Sequence, residues 1–458
     1  MAPLAQLASL WGARVTGSDR NHDRGVALPI FDGLRSAGVV IVPQDGTGIL
    51  PDLDALVHSS AVEPTNPDVV RADTLGVPRI RRGSFLAQLV ASRRTVAIAG
   101  TSGKSTITAM VAHVLSSAGL DPSYLGGGAA VDLPGAVPPG SLRVGASEWF
   151  VIETDESDGS VAEFAPAIAT LTNLTRDHKE IDVIAGFFER LLSQTRERAV
   201  IHVGDPALSM VNRPDALPCV TVAVEGDATW ATPQLLARDI RYEPASVRFR
   251  IERAIVRVPF PGALTVQNAA LAIATAFAAG VPIERSAQAL ESFAGVRRRL
   301  ERVGAAEGVD VFDDFAHNPV KIRFAIQALR PQASLWVYYQ PHGYGPTRFF
   351  RDELIATLGE VIRPGDHLLL APIYDAGGTA DRSICSEDLA EELARHGVSA
   401  KVAPTRRQAE REIKEGVRPG DRVVVMGARD DTLPMFARAL LAAIASRSKE
   451  PATGGSGH

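Results

Sequence analysis

The chain has 458 residues, of which 45% are hydrophobic, and a formal net charge of −5 at pH 7. This length predicts about three domains of roughly 150 residues each. The acidic balance argues against nucleic acid as the main partner, and no run of eighteen apolar residues that would predict a membrane-spanning helix occurs. Two cysteines, Cys219 and Cys385, are too few for a disulfide framework. The first residues lack the pattern of a signal peptide, so we expect a cytoplasmic protein.

Short segments rich in Val, Ile and Leu recur along the chain, and longer stretches with helical spacing separate most of them. In chain order they read RTVAIAG, WFVIET, PAIATLTNL, RAVIHVG, SLWVYYQ, DHLLLAPIY and DRVVVMGA. This alternation is typical of parallel sheets covered by helices. The predicted fold class is therefore α/β.

Three domains and a tail are predicted. Residues 1–92 hold three weak strands, in RVTGSD, GVVIVP and ALVHSSA, which end in the small and polar residues that bind ligands in open α/β sheets. Residues 93–303 include a strand-rich insertion near 218–262, and residues 304–446 form a third alternating segment. Residues 447–458 are small and polar, which predicts a disordered tail, and His458 at its end receives no functional role.

The segment from Ala97 to Thr106 reads AIAGTSGKST and predicts a phosphate-binding loop, although Ile98 stands where a Walker-type loop has a glycine. An apolar strand precedes the loop, and ITAMVAHVLSSAGL, an amphipathic helix ending at Gly119, is expected after it. Lys104 would neutralise the terminal phosphates and Ser105 would bind Mg²⁺. The alternative is a glycine turn with a surface lysine. The residues expected to contact the nucleotide are Gly100, Thr101, Ser102, Gly103, Lys104, Ser105 and Thr106.

Acidic side chains follow the strand WFVIET, at the end where carboxylates can hold hard cations. They are Glu153, Asp155, Glu156 and Asp158. Taken alone, a solvated acidic turn explains them better than a metal site. About twenty residues later, another strand ends in a second group of polar side chains, Asn173, Asp177 and His178.

Seven motifs occur together in the order and approximate spacing of the Mur ligases. They read AGTSGKST, ETDESDGS, TNLTRDH, VQNAALAIA, GVRRRLERVG, DDFAHNP and QPHGYGPTR. The chain resembles this family from residue 1 to about residue 446, and most closely its alanine-adding branch. The family's shorter loop, G-T-x-G-K-[ST], accounts for the glycine missing at Ile98.

The resemblance implies a fold and a reaction. The expected architecture is a Rossmann-like N-terminal domain, a central P-loop ATPase-like domain and a Rossmann-like C-terminal domain. The expected reaction uses ATP and Mg²⁺: a carboxylate attacks the γ-phosphate to give an acyl phosphate, and an amine then displaces phosphate to form an amide. The expected partners are a UDP-N-acetylmuramate-type carboxylate and an amino acid or other amine, with a monomer or a dimer both left open.

The resemblance also implies roles for individual residues. Lys104 would contact the β- and γ-phosphates, while Glu153 and His178 would hold a second Mg²⁺ in addition to the one on Ser105. Asn268 would lie near the adenine. Arg299 would contact the γ-phosphate and Asp314 the ribose. Each of the last three also has a structural explanation: Asn268 as a helix cap, Arg297–Arg299 as a solvated basic turn, and Asp313 and Asp314 as the end of a strand.

The chain departs from the family pattern in two places. It begins with MAPLAQLASLWGARVTGSD, so the first strand and its glycine loop are expected to be missing, through a start placed too late or through loss of the nucleotide-sugar site. Gly343 and Pro346 stand where the family has two arginines that bind the carboxylate of the incoming amino acid. Unless Arg348 or Arg351 reaches into the site, we expect an acceptor that lacks a carboxylate there or is held differently.

Two alternatives to the leading interpretation remain open at this stage. In the first, the chain is a related ligase of murein recycling or specialised metabolism that uses a different carboxylate or amine. In the second, it is an ATP-binding regulatory subunit without ligase activity of its own. The side chains expected to line the amine site are His342, Tyr344 and Arg348, and a structural role for His342 and Tyr344 is an equal alternative.

Overall fold

A computed structural model of the protein describes residues 1–60, 62–131, 133–176, 179–375 and 380–447. The chain divides into two compact units. The first comprises Met1–Pro259 and Thr265–Gly295, and the second comprises Phe260–Leu264 and the chain from Val296 onward. The domain boundaries at residues 92 and 303 stay predictions.

The first unit begins with short elements that pack around small parallel sheets. The helices are α1 (Ala2–Leu10), α2 (Arg20–Asp23), α3 (Pro29–Ser36), α4 (Pro67–Leu75) and α5 (Arg82–Val90). The strands are β1 (Thr16–Gly17), β2 (Val40–Ile41), β3 (Leu56–His58) and β4 (Arg79–Arg81). β1 pairs with β2 and β3 pairs with β4, both in parallel. The three weak strands predicted here are confirmed as β1, β2 and β3.

An eleven-stranded sheet forms the centre of the first unit, in the order β15-β14-β13-β12-β11-β10-β5-β9-β6-β8-β7. Its strands are β5 (Arg94–Ala99), β6 (Ser123–Leu125), β7 (Ala136–Val137), β8 (Leu142–Arg143), β9 (Trp149–Glu153), β10 (Ile168–Leu171), β11 (Arg198–His202), β12 (Cys219–Val224), β13 (Leu235–Tyr242), β14 (Val247–Ile251) and β15 (Ala254–Val258). The seven strands from β13 to β6 run parallel, and antiparallel strands extend both edges. β12 to β15 confirm the predicted strand-rich insertion.

Four helices accompany this sheet: α6 (Lys104–Ser117), α7 (Ile181–Gln194), α8 (Ala263–Ala278) and α9 (Ile283–Leu290). The prediction of an amphipathic helix after the phosphate loop is wrong in one respect. α6 buries nine of its fourteen residues, because it packs against β9 on one side and α9 on another. A helix enclosed in this way needs no polar face.

The second unit is a six-stranded sheet with helices on both faces. Its strands are β16 (Glu301–Ala306), β17 (Val309–Asp314), β18 (Leu335–Tyr339), β19 (His367–Leu370), β20 (Ala400–Val402) and β21 (Arg422–Met426), in the order β16-β17-β21-β18-β19-β20. Its helices are α10 (Pro319–Ala328), α11 (Tyr344–Phe349), α12 (Arg351–Val361), α13 (Ser386–Arg395), α14 (Arg406–Gly416) and α15 (Leu433–Ala445). All strand pairs are parallel except β16 with β17.

The two faces of this second sheet bury separate cores. Residues of α10, α12 and α13 pack on one face, and residues of α14 and α15 pack on the other. The neighbouring strands β18 and β21 therefore lead into helices on opposite faces. Such a switch point opens a crevice at the carboxyl ends of the strands, where α/β sheets bind ligands. Across the described residues, every helix is too short or too polar to cross a membrane.

Candidate functional site

The predicted phosphate loop connects β5 to α6 and depends on two glycines. Gly100 has φ +143° and Gly103 has φ +80°, in the region that side chains rarely adopt. A Cβ atom at Gly100 would collide with Thr172 Oγ1, and one at Gly103 would lie 2.7 Å from Asn268 Oδ1. The loop therefore packs closely against the segment after β10 and against helix α8.

Asn173 holds this loop in place through its whole side chain. Its Oδ1 accepts hydrogen bonds from Thr101 N (3.0 Å), Thr101 Oγ1 (2.8 Å) and Ser102 N (2.8 Å). Its Nδ2 donates to Ser102 O (3.1 Å) and Ser102 Oγ (2.9 Å). Five bonds from one buried amide fix the first half of the loop. The sequence placed Asn173 at the end of a strand, but its role in holding the loop was missed.

Lys104 is the first residue of α6, and two residues hold its ammonium through three acceptor oxygens. Nζ donates to Gly100 O (2.6 Å) and to both carboxylate oxygens of Glu156 (2.7 and 2.9 Å). The two side chains are 13% and 5% exposed, so the alternative of a surface lysine is wrong. Burial disfavours the charge most strongly, but Glu156, Glu153 and Asp155 together outweigh burial and raise the pKa of Lys104. The ammonium therefore stays protonated at neutral pH.

The start of α6 has the backbone geometry of an anion site. The helix's own hydrogen bonding begins with Ile107 N, which donates to Gly103 O at 3.0 Å. The N–H groups of the preceding turn are not used by the helix, and the helix dipole favours negative charge there. Ser105 is buried and Thr106 is half-buried in this turn. Two glycines that must remain side-chain-free, a fixed ammonium and this turn together fit a polyphosphate.

Glu153 ends β9 next to a run of three glycines, residues 126–128. Its Oε2 accepts a hydrogen bond from Gly127 N at 2.8 Å, and a Cβ atom at Gly127 would come within 2.6 Å of the carboxylate. Only glycine allows the backbone to approach Glu153 so closely. This contact was not predicted from the sequence, although the glycine run in LGGGAA is a signal of close backbone approach.

The other acidic residues after β9 have separate structural roles. Asp155 accepts a hydrogen bond from Ser157 N (2.9 Å) and lies 3.4 Å from Arg82, and Asp158 accepts one from Ser160 N (2.9 Å). Within the described ranges, no group of three or more His, Cys, Asp or Glu side chains is arranged to hold a metal ion. The predicted residues Asp177 and His178 lie outside the described residues. The assignment of Mg²⁺ to Ser105, Glu153 and His178 stays a prediction.

Asn268 lies inside α8, which begins at Ala263. It therefore does not cap the helix, and this structural alternative is wrong. The residue is 5% exposed, and its Oδ1 faces Gly103 of the phosphate loop. Asn268 thus belongs to the same side-chain cluster as Lys104 and Asn173.

In the second unit, Asp314 ends β17 and anchors the preceding basic turn. Its Oδ2 accepts a hydrogen bond from Leu300 N (2.7 Å) and its Oδ1 accepts one from Ala316 N (2.7 Å). Burial raises the pKa of Asp314. The guanidinium groups of Arg298 and Arg299 both lie 4.9 Å from the centre of the Phe315 ring. Arg299 and Asp314, predicted to bind the same nucleotide, are therefore neighbours in the fold.

The basic turn is only partly solvated. Arg297 pairs with Glu301 at 2.5 Å, and Arg298 Nε lies 3.5 Å from Asp313 Oδ1. Asp313 is 1% exposed, and neither of its oxygens has a hydrogen bond to a described residue. Burial raises the pKa of Asp313 to about 7, with Arg298 the largest opposing influence. Asp313 and Asp314 therefore end β17 and also contact the basic turn, through Arg298 and Leu300 N respectively.

The predicted amine-site residues lie at the carboxyl edge of the second sheet, after β18. The His342 ring packs edge-on against His317 at 4.8 Å, and the guanidinium of Arg382 lies 5.7 Å from the Tyr344 ring centre. Arg348 pairs with Asp381 at 3.5 Å. Burial lowers the pKa of His317 to about 2, which leaves that ring neutral. A cavity of about 340 Å³ opens at the same edge, lined among others by Tyr338, Gln340, Tyr374, Asp375, Arg406 and Asp430.

Comparison with known proteins covers almost the whole chain. Residues 1–94 match the Mur ligase family catalytic domain, residues 98–276 the Mur ligase middle domain, and residues 298–429 the Mur ligase glutamate ligase domain. The UDP-N-acetylmuramate–L-alanine ligase of Desulfatibacillum aliphaticivorans is 31% identical over 94% of this chain and 93% of its own length. That of Cereibacter sphaeroides is 32% identical over 98% and 95%.

The chain belongs to the Mur ligase family. Solved structures agree on the fold: the UDP-N-acetylmuramate–alanine ligase of Thermotoga maritima has a TM-score of 0.78 at 23% identity and covers 98% of this chain and 97% of its own. A murein peptide ligase of Psychrobacter arcticus has a TM-score of 0.69 at 24% identity, covering 97% and 96%. The predicted three-domain α/β Mur ligase architecture is confirmed.

This Mur ligase is an ATP-dependent, ADP-forming enzyme that makes an amide bond. The interpretation as a regulatory subunit without ligase activity is not supported. The first unit brings together residues 100–106, Glu153 and Asn268, and the second contains Arg299, Asp314, His342, Tyr344 and Arg348. Sequence reasoning missed Glu156 as the partner of Lys104, because the two residues are 52 positions apart and meet only through strand pairing.

Proposed function

We propose that this Mur ligase joins an amino acid to the carboxylate of a UDP-N-acetylmuramate-type donor, with ATP as co-substrate and Mg²⁺ as cofactor. The observation that carries the proposal is the intact phosphate loop with the buried Lys104 ammonium, in a chain that covers over nine-tenths of ligases named for these substrates. In this proposal, residues 1–92 bind the UDP-sugar, residues 93–303 bind ATP and residues 304–446 bind the amine.

Lys104 would stabilise the negative charge of the β- and γ-phosphates. Because the ammonium is bound by Glu156 here, ATP binding must draw it away from that carboxylate and toward phosphate oxygens. The exchange compensates the charge of the phosphates but leaves the buried Glu156 carboxylate without its counter-charge. Thr101 N and Ser102 N already donate to Asn173, so the backbone N–H groups at the start of α6 would bind the phosphates. Asn268 would lie beside the base.

Ser105, Glu153 and His178 would hold Mg²⁺, whose charge offsets that of the phosphates and of the donor carboxylate. Gly127 N donates a hydrogen bond to Oε2 of Glu153 and so restrains the carboxylate. The other oxygen, Oε1, accepts no hydrogen bond from the N–H groups of residues 126–128. In the second unit, Arg299 would bind the γ-phosphate and Asp314 the ribose. Two backbone N–H groups hold the Asp314 carboxylate at the end of β17.

The chemistry requires activation of a poor acyl donor. A carboxylate oxygen attacks the γ-phosphorus, ADP leaves, and the acyl phosphate then reacts with the unprotonated amine. Collapse of the tetrahedral intermediate expels phosphate and forms the amide. Negative charge accumulates at each stage, so fixed cationic groups such as Lys104 and Arg299 contribute most of the stabilisation. Since ATP and nucleotide sugars are cytoplasmic metabolites, we also propose a cytoplasmic location.

The direct test is phosphate release by the purified protein with ATP, Mg²⁺ and UDP-N-acetylmuramate. Release should begin only when an amino acid is added, and mass spectrometry should detect the amide product. EDTA should stop the reaction and excess Mg²⁺ should restore it. If none of the twenty amino acids supports release, the proposed substrates are wrong.

A second candidate is a Mur ligase that uses the same reaction on a different amine or carboxylate. The observation that favours it is the altered loop after β18, in which Gly343 and Pro346 carry no charge. Under this alternative, UDP-N-acetylmuramate gives no product with a free amino acid, whereas a murein-derived peptide in place of the amino acid supports phosphate release.

A further inference from the structure

The segments that follow the strands of the second sheet at its carboxyl edge contain several arginines, and most of these form ion pairs with carboxylates. Arg351 pairs with Glu392 (2.7 Å), Arg382 with Asp375 (2.8 Å) and Arg406 with Asp430 (2.6 Å). Arg348 likewise lies 3.5 Å from Asp381. The two replacements considered from the sequence, Arg348 and Arg351, are therefore both engaged in ion pairs.

Arg429 differs from these arginines. It follows β21 and is exposed, and no hydrogen bond or ion pair joins its side chain to another residue in the described part of the chain. Its guanidinium lies against the loop after β18: a Cβ atom placed on Gly343 would be 3.4 Å from Arg429 Nη1 and 3.7 Å from Pro346 Cδ. A positive charge from one loop thus fills the space beside the two uncharged positions of the other.

Gly343 makes this approach possible. It has φ +141°, a conformation that side chains rarely adopt, and its missing side chain leaves room for the guanidinium. Thr347 fixes the position of Gly343, because Thr347 N (3.0 Å) and Oγ1 (2.7 Å) both donate to Gly343 O. The loop backbone is therefore fixed while the charge beside it remains unpaired.

The wall of the neighbouring cavity contains a hydrogen-bond acceptor. Gln340 Oε1 is buried and has no hydrogen-bond partner among the described residues, and Gln340 lines the cavity together with Tyr374 and Asp430. Backbone atoms of Gln340 and Tyr374 lie within about 4 Å of Cβ positions at Gly427 and Gly343, respectively. Arg429 is not part of the cavity lining, but it and the lining residue Tyr374 lie on the same position of Gly343. A ligand that reaches from the cavity to this position meets the Arg429 guanidinium at one end and the Gln340 side chain at the other.

We propose that Arg429 binds the carboxylate of the acceptor amino acid. The inference rests on the proposed function, and it replaces the charge that Gly343 and Pro346 do not supply. A guanidinium donates two parallel hydrogen bonds to a carboxylate, and the amino group of the same ligand suits the unpaired Gln340 oxygen.

The experiment compares the wild type with Arg429→Gln in the ligation assay. The substitution should raise the KM for the amino acid roughly 10- to 100-fold, the effect of losing one charge-assisted pair. The KM values for ATP and for UDP-N-acetylmuramate should remain within about twofold. Arg407→Gln is the matched control, since Arg407 is an exposed arginine of the same unit in α14.

A substrate change gives the same test without relying on one variant. The wild type should use the amino acid far better than its carboxamide, and Arg429→Gln should lose that preference, since neither carboxylate nor amide then has a charged partner. Arg429→Lys should recover part of it. If Arg429→Gln keeps the wild-type KM and preference, or raises the KM for ATP instead, the inference is wrong. If the wild type releases no phosphate with any acceptor, the proposed function itself fails.

Discussion

The loop between β5 and α6 and the loop between β18 and α11 both follow a buried parallel strand, yet different interactions hold them. Neutral hydrogen bonds from Asn173 and two closely packed glycines fix the first loop. The second loop is bordered by ion pairs that remain partly exposed, and Arg429 beside it has no carboxylate partner among the described residues. Buried hydrogen bonds are costly to leave unmade, whereas exposed ion pairs stabilise the fold little.

This contrast separates what each loop tolerates. In the phosphate loop, a substitution should disturb structure and activity together, because the same atoms provide both. At the amine edge, a charge can change with little effect on the fold, so substrate preference can change there independently. The uncharged residues Gly343 and Pro346 are consistent with this freedom.

The largest expected effect concerns Lys104. Lys104→Met should lower ADP formation by more than about 10³-fold, because the fixed ammonium of the phosphate site is lost. It should also destabilise the fold by roughly 3–5 kcal/mol, since Glu156 is then buried without a counter-charge. The double variant K104M/E156Q should recover stability in thermal unfolding but remain inactive. Activity in either variant would contradict the phosphate role.

The packing of the loop is tested by Gly100→Ala. Backbone strain at φ +143° and the collision with Thr172 Oγ1 should together destabilise the protein by roughly 4 kcal/mol. Gly186→Ala is the control, because Gly186 lies in α7 with nothing within 4 Å of its Cβ position. There, alanine should stabilise the helix by about 0.5–1 kcal/mol. Equal melting temperatures for the two variants would show that the loop is not tightly packed.

A smaller effect is expected from the buried Asp313 in the second unit. Its folded pKa of about 7 lies above the ordinary value of 3.8, so the folded state holds the proton more tightly. The resulting stability is complete below about pH 4 and is lost as the pH rises through 7. Asp313→Asn should remove this pH dependence, of which about 3 kcal/mol falls between pH 5 and pH 8. Denaturant unfolding of both proteins at pH 5 and pH 8 measures the change in unfolding free energy between these pH values. The same change in the wild type and in Asp313→Asn would contradict the burial argument.

Much of the fold could be predicted from the residues alone. The strand segments from RTVAIAG to DRVVVMGA all form strands, because the alternation of apolar runs with helical spacing is a local property of the chain. The position of GTSGKST between a strand and a helix was predictable for the same reason. The family's motifs then supplied Glu153, Asn268, Arg299 and Asp314 as candidates, whose roles remain proposals.

Other features depend on which strands become neighbours. The order β10-β5-β9 places Asn173 on one side of the phosphate loop and Glu156 on the other. The enclosure of α6, which the sequence suggested would be amphipathic, comes from the packing of α9. The pairing of β18 with β21 likewise brings Arg429 against Gly343.

The sequence by itself determined the alternating α/β pattern, the phosphate loop and the lack of charge at Gly343 and Pro346. Only the tertiary structure decided which side chains compensate Lys104 and which arginine stands beside Gly343. The physical reason is range: propensity, periodicity and turn chemistry act over a few residues, whereas ion pairing and close packing join residues that are distant in the chain and meet through the strand order of the sheets.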